Sequence, residues 1–215
     1  MTLQNNTYKW LGLLVITIIP VLMLTSSLWR DPAKVAPSVW SVLMLGLPMV
    51  FLILILKYGE KETFDSLGTL KFDLKTIGLS LFLVVIMFIV TFLFGNLMRM
   101  MNIMPGNEPM YNQMKLLPLW GKIILVLWAG FSEEIYFRGY AITRLEVLTG
   151  NRTLAVIAPL VVFGLGHGAD KSLYHVLFAT LIGVVFTISY IKTRNLLANI
   201  IAHFIFDFVV LVLLS

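Results

Sequence analysis

No cysteine occurs among the 215 residues, which excludes disulfides, thiolate metal sites and a cysteine nucleophile and leaves carboxylates, histidines and hydroxyls for any chemistry. Charge is scarce as well. Asp, Glu, Lys and Arg make up 13% of the chain against 59% hydrophobic residues, with a mean hydropathy of +0.93, and such a chain cannot be arranged as a soluble domain around one ordinary core. Repeats, low-complexity tracts and a second domain are also missing, so residues 1–215 read as a single membrane domain. The formal charge of +5 does not point to nucleic acid, because the basic residues are scattered among short loops, where lysine and arginine flank membrane helices. The expected surroundings are the lipid bilayer.

What is present is a series of long apolar runs. A helix crosses the hydrocarbon core in about 20 residues at about 1.5 Å each. Segments 10–29, 35–56 and 76–98 carry no charge, 172–191 holds one histidine, and 195–215 holds a histidine and an aspartate. Only ten uncharged residues separate Lys122 from Glu133, so the fourth span must tolerate charge; it is expected to run to about residue 145. Segment 153–169 completes a set of seven. The expected fold is an all-α, polytopic transmembrane helix bundle of about seven spans, with 10–98 forming three accessory spans and 118–215 carrying the chemistry.

The loops give an orientation. With the N-terminus cytoplasmic, the inner side collects Lys9, Lys57, Lys61, Lys71, Lys75, Arg138, Arg144, Arg152, Lys192 and Arg194, ten of the sixteen basic residues, a positive-inside pattern. The first segment reads as an anchor, because its apolar run exceeds the roughly 7–15 residues of a signal-peptide core. Loops 57–75 and 99–117, the latter containing MPGNEPMYNQ, are the sizeable extramembrane pieces. Short, lysine-bearing loops point to a bacterial plasma membrane.

Of the eleven acidic residues, eight lie in or beside loops, leaving Glu133, Glu134 and Asp207 in apolar sequence together with His167 and His203. An ionisable group inside a bilayer costs at least about 2.5 kcal/mol and therefore faces a partner or a wet cavity. Adjacent helical residues diverge by about 100°, whereas residues four apart share a face. Glu134 is thus expected to pair with Arg138, leaving Glu133 available. Asn195, Asn199, His203 and Asp207 form a polar stripe every four residues, so HFIFD presents His203 and Asp207 together. Counting from the inner helix ends, Glu133 lies roughly 18 Å up, His167 roughly 21 Å, His203 roughly 12 Å and Asp207 roughly 18 Å, and the candidates converge on one level. His175, near the outer start of its span, is expected to be interfacial.

A carboxylate and two imidazoles around a protein-enclosed wet pocket suit hydrolysis. Glu133 would take a proton from water with His167 holding or sharing it, and His203 with a protonated Asp207 would stabilise an oxyanion. A zinc version would use His167, His203 and Asp207 as ligands with a glutamate as base; no HExxH spacing selects between the two. Two rivals are a proton-coupled transporter, which should show repeat symmetry and a polar path across the membrane, and a non-catalytic immunity or scaffold protein.

EEIYFR at 133–138, FGLGH at 163–167 and HFIFD at 203–207 occur in the order EExxxR, FxxxH and HxxxN/D. Over roughly residues 118–210 this resembles the CAAX protease and bacteriocin-processing family (CPBP, or Abi). The resemblance implies an intramembrane endopeptidase whose site opens toward the cytoplasm. It makes Glu133 the base, His167 its partner on the water, and His203 with position 207 the oxyanion site, supported by Glu134, Arg138 and the stripe residue Asn199. The family is often classed as a metalloprotease, and a glutamate mechanism has also been argued for it. Prenyl-processing relatives carry asparagine where this chain has Asp207, which favours metal or a protonated acid. The expected substrate is a peptide or membrane-associated protein: a pheromone, a bacteriocin precursor or a membrane-protein tail rather than a CAAX box in a cell without prenylation.

Overall fold

The computed structural model describes residues 2–29, 37–103, 112, 114–168 and 173–213. Seven helical runs follow one another among them. They are α1 (Thr2–Trp29), α2 (Pro37–Leu54, continued by a π-helical turn over Ile55–Glu60) and α3 (Leu74–Met100). The fourth run joins α4 (Leu119–Glu133), a π-helix (Glu134–Ile142) and α5 (Thr143–Thr149). Then come α6 (Arg152–Gly166), α7 (Leu173–Thr193) and α8 (Leu196–Phe208, with π-helical Val209–Leu213). The all-helical fold is as expected, and no strand forms among the described residues. The fourth run continues to Thr149, past the expected end near residue 145, and stops at Gly150, which takes a left-handed conformation. MPGNEPMYNQ, apart from Asn112, lies outside the described residues, as do Arg30, Lys34 and Lys171 and the parts of the expected spans at 35–36, 169, 172 and 214–215.

Three helices, Leu74–Met100, Leu173–Thr193 and Leu196–Leu213, are long and apolar enough to cross a membrane. On α3 the side chains of Phe82, Val85, Phe92 and Leu93 are exposed, an outer face that lipid rather than water satisfies, while its backbone groups are paired within the helix. The membrane environment read from composition therefore has a structural counterpart.

The accessory helices do not stand apart. α1 packs on α2 and α6, α2 on α4, and α3 on α7 and α8. One core cluster joins Leu13 and Ile16 of α1, Leu45, Met49 and Leu52 of α2, and Ile135, Tyr136 and Tyr140 of the π-helix. The Tyr136 hydroxyl donates to the Leu45 carbonyl. A second cluster, Leu83, Met87, Ile182, Phe186, Ala202 and Phe206, binds α3 to α7 and α8.

Loop 57–75, expected outside the membrane, folds back against the helix ends. Leu67 is buried, and its carbonyl accepts the Tyr190 hydroxyl. The Thr69 amide donates to the Arg194 carbonyl at 2.7 Å, and its own carbonyl accepts from the Leu197 amide at 3.1 Å. Gly68 makes the return possible: its φ is +141°, and a Cβ there would meet the Arg194 carbonyl oxygen at 3.0 Å. Two caps join the same layer. Asp73 accepts from the Thr76 amide at 2.8 Å, a bond that holds its carboxyl below the usual carboxylate range. Asn195 accepts from the Ala198 amide at 3.0 Å and donates to Thr76 Oγ1 at 2.8 Å. Asn195 is thus the N-cap of α8, and the polar stripe begins its deeper part at Asn199.

Tyr190→Phe tests the loop's anchorage. It leaves the buried Leu67 carbonyl without this donor, and the expected loss is about 1–2 kcal/mol of unfolding free energy. Denaturant unfolding in detergent measures it; an unchanged midpoint would mean that the loop is held by apolar contact alone.

Candidate active site

Glu134 is the centre of the polar cluster. It is fully buried, and its oxygens accept from three side chains: Arg138 Nη1 at 2.9 Å, His203 Nδ1 at 3.1 Å and Asn199 Nδ2 at 3.1 Å. Residues 134 and 138 meet four positions apart as expected. Two donors from α8 add to the pair, so one buried carboxylate fastens the π-helix to the last helix. A carboxylate can accept about four hydrogen bonds, and three committed donors leave this one with little capacity for substrate. Arg138 is itself enclosed. Nη2 donates to the Gly183 carbonyl at 3.1 Å, and its guanidinium carbon lies 4.3 Å from the centre of the Phe163 ring and 5.5 Å from that of Phe186. The charge is held by one anion, one carbonyl and two aromatic faces.

Glu133 points elsewhere. Its side chain is 15% exposed, and its nearest charged neighbour is His203, with Nε2 3.8 Å from Oε2. Asp207 is 32% exposed and approaches the same nitrogen, Oδ2 to Nε2 at 3.4 Å. His203 therefore stands with Nδ1 toward Glu134 and Nε2 toward the more open pair Glu133 and Asp207. Phe186 stacks on the ring at 4.9 Å between centres. Close approach of α4 to α8 needs Gly130, where a Cβ would meet the Phe204 amide nitrogen at 3.2 Å and His203 Cβ at 3.4 Å.

His167 caps the C-terminus of α6, where the helix ends at Gly166. Its Nδ1 lies 2.8 Å from the Phe163 carbonyl. A carbonyl can only accept, so Nδ1 carries a proton, and in the neutral ring Nε2 is an acceptor. The ring packs on Phe163 at 4.6 Å and is within electrostatic reach of His203, Asp207 and Arg138. Phe163, the first residue of the FxxxH spacing, thus contacts both Arg138 and His167. His175, expected to be interfacial, lies beside His167 with ring centres 5.9 Å apart. His167 follows the C-terminal end of α6 and His175 lies in the first turn of α7, so the two rings meet on the same side of the bundle.

The three residues considered as zinc ligands do not assemble. Among the described residues no three His, Cys, Asp or Glu side chains gather as a metal-binding group. Nδ1 of His203 is taken by Glu134 and Nδ1 of His167 by a backbone carbonyl, which leaves Nε2 of each ring as the nitrogen that faces the site.

Several participants carried no signal in the sequence. Phe186 and Gly183 lie on an apolar helix and contribute through a ring face and a carbonyl; the Phe186 carbonyl also accepts from Asn199 at 2.9 Å. Arg144 and Glu60, read as loop charges, are buried. Gly183→Ala is expected to cost about 1–3 kcal/mol by overpacking, since a Cβ would meet Leu160 at 2.9 Å, Phe163 at 3.0 Å and Arg138 at 3.1 Å. Thermal unfolding reads this, and a stability equal to wild type would show that the contact relaxes freely.

A family model described as Rce1-like, type II CAAX prenyl endopeptidase, matches residues 115–209. The matched span contains α4 to α8 and all the residues of the cluster. Searches of curated proteins and of solved structures returned no significant match.

Proposed function

We propose that this membrane protein, whose residues 115–209 match the Rce1-like CAAX protease family model, is a peptidase of that kind and cleaves peptides with a water activated by Glu133 rather than by a metal. The observation that carries the reading is the division between the two glutamates. Glu134 is saturated by Arg138, His203 and Asn199, whereas Glu133 is partly exposed with no hydrogen bond among those of the cluster. Of the two glutamates, Glu133 is the one with oxygens free to hold a water and take its proton.

His167 offers the acceptor nitrogen opposite its Phe163 bond and orients the water from the α6 side. As water attacks the scissile carbonyl, its proton passes to Glu133 and the carbonyl oxygen becomes an oxyanion. A proton held between His203 Nε2 and Asp207 Oδ2, 3.4 Å apart, is the donor that stabilises it. Collapse of the tetrahedral intermediate breaks the C–N bond, and the proton on Glu133 goes to the leaving amine. Glu134 fixes His203, and Arg138 neutralises Glu134. Residues 118–215 form the catalytic part, with 10–98 as its accessory frame. The substrate is a peptide or membrane-associated protein segment, in a bacterial plasma membrane with the N-terminus cytoplasmic.

The purified protein in liposomes, offered a quenched fluorogenic peptide library with and without a strong chelator, tests this. Cleavage that persists in chelator is expected. Loss of cleavage in chelator would replace the glutamate mechanism by a metal one, and no cleavage of any peptide by folded protein would turn the reading toward a non-enzymatic role.

A further inference from the structure

A second buried ion pair lies outside the candidate active site. Glu60, at the end of the π-helical turn that closes α2, is 3% exposed, and Arg144 on α5 is 5% exposed. Arg144 Nε donates to Glu60 Oε2 at 2.7 Å and Nη2 to Ser66 Oγ at 2.8 Å, while the Tyr140 hydroxyl donates to the other Glu60 oxygen. Tyr140 also reaches α1, where a Cβ on Gly12 would collide with its ring. A buried ion pair is weak evidence for stability, since apolar replacements of similar volume often do as well. It is a strong constraint on geometry, because each charge here has one oppositely charged partner, at a fixed place.

One buried pair, Glu134–Arg138, lies in the first half of the π-helix Glu134–Ile142, and the other engages Arg144 just beyond its end. π-Helical stretches are rare, occur mostly as single-turn bulges, and need something to hold their i→i+5 register. Relaxation to an α-helix would absorb one residue of that register and turn one end against the other by about 100°. At the upper end Glu134 and Arg138 are fixed by His203, Asn199 and the Gly183 carbonyl. At the lower end Tyr140 and Arg144 are fixed by Glu60 and Ser66. An α-helical path would swing one set off its partners. Thr143 supports the irregular turn, its Oγ1 donating to the Gly139 and Tyr140 carbonyls at 2.7 and 3.0 Å.

We infer that Glu60, Tyr140 and Arg144 are positioning residues that lock the π register of 134–142 and thereby aim Glu133 and Glu134 at His203. Their effect on catalysis rests on the proposed role of Glu133; the register lock does not. Through Glu60, the segment after α2 controls chemistry carried by α4 and α8.

The absence of cysteine makes the test direct. Ile124→Cys on α4 and Val147→Cys on α5 are exposed positions on either side of the π-helix, and spin labels there report their separation by pulsed electron resonance in liposomes. Glu60→Ala and Tyr140→Phe are each compared with the parent, together with kcat and KM on a peptide the parent cleaves. The expected result is a shifted or split distance distribution in both variants, with kcat at least tenfold lower for Glu60→Ala and KM within twofold. Unchanged distances, or an unchanged kcat beside shifted distances, would overturn the positioning role, as would a Glu60→Ala that only melts earlier. Should Glu60→Ala not fold, Tyr140→Phe, which removes one hydroxyl, decides by the same readouts. If the parent cleaves no peptide, the peptidase reading has failed, and the distances alone still decide the register lock.

Discussion

Glu133→Gln leaves the protein folded and lowers kcat by about two to four orders of magnitude, the range ascribed to a general base. The substitution keeps the shape of the side chain and removes the site that receives the proton. Little stability should be lost, because Glu133 is partly exposed and its only close charged neighbour is His203 Nε2 at 3.8 Å. Glu134→Gln is the instructive control. It puts an amide where Arg138 Nη1, His203 Nδ1 and Asn199 Nδ2 all donate, and an amide has one accepting oxygen where a carboxylate has two. That variant should lose stability and activity together, whereas Glu133→Gln loses activity alone. Single-turnover cleavage and thermal unfolding on the two variants separate the cases. A Glu133→Gln enzyme retaining more than a tenth of the rate would remove Glu133 from the role of base.

The second large effect concerns Arg138. Arg138→Met leaves the Glu134 carboxylate buried without its cation, and breaking a buried pair from one side costs about 3–5 kcal/mol. His203 and Asn199 still donate to Glu134, but neither replaces the bond to the Gly183 carbonyl or the contact with Phe163. The double variant Glu134→Gln/Arg138→Met removes both charges and should recover a large part of that loss, since the desolvation penalty goes with the pair. It should remain inactive, because the anion that orients His203 is gone. Chemical denaturation of the two variants in detergent measures the difference. Equal stability would show that Glu134 is relieved by another route, such as taking up a proton.

Such predictions separate what could be read along the chain from what could not. Charge deep in an apolar sequence is costly, so Glu133, Glu134, His167, His203 and Asp207 stood out before any coordinates. The four-residue spacing of helical faces linked Glu134 to Arg138 and His203 to Asp207, and both pairs are observed at 2.9 and 3.4 Å. Glu60 and Arg144 were missed because a charge next to a loop carries no cost until the loop folds inward; only Gly68, Leu67 and the pairing of Thr69 with Arg194 and Leu197 bring it in. Phe186 and Gly183 were invisible for a different reason. An apolar ring or a backbone carbonyl on an apolar helix looks the same whether it faces lipid or an arginine.

By itself, then, the sequence determined the solvent, the helical class and the residues that need partners, since these follow from the free energy of placing each side chain in hydrocarbon. Tertiary structure alone decided who those partners are. Glu134 acquired three donors from two segments, Glu133 was left the more exposed of two adjacent carboxylates, and the helix held by two buried ion pairs, one within it and one at its end, took a π path. The physical reason is that hydrogen-bond saturation and helical register depend on several chain segments meeting at one place, and no local window of residues contains that meeting.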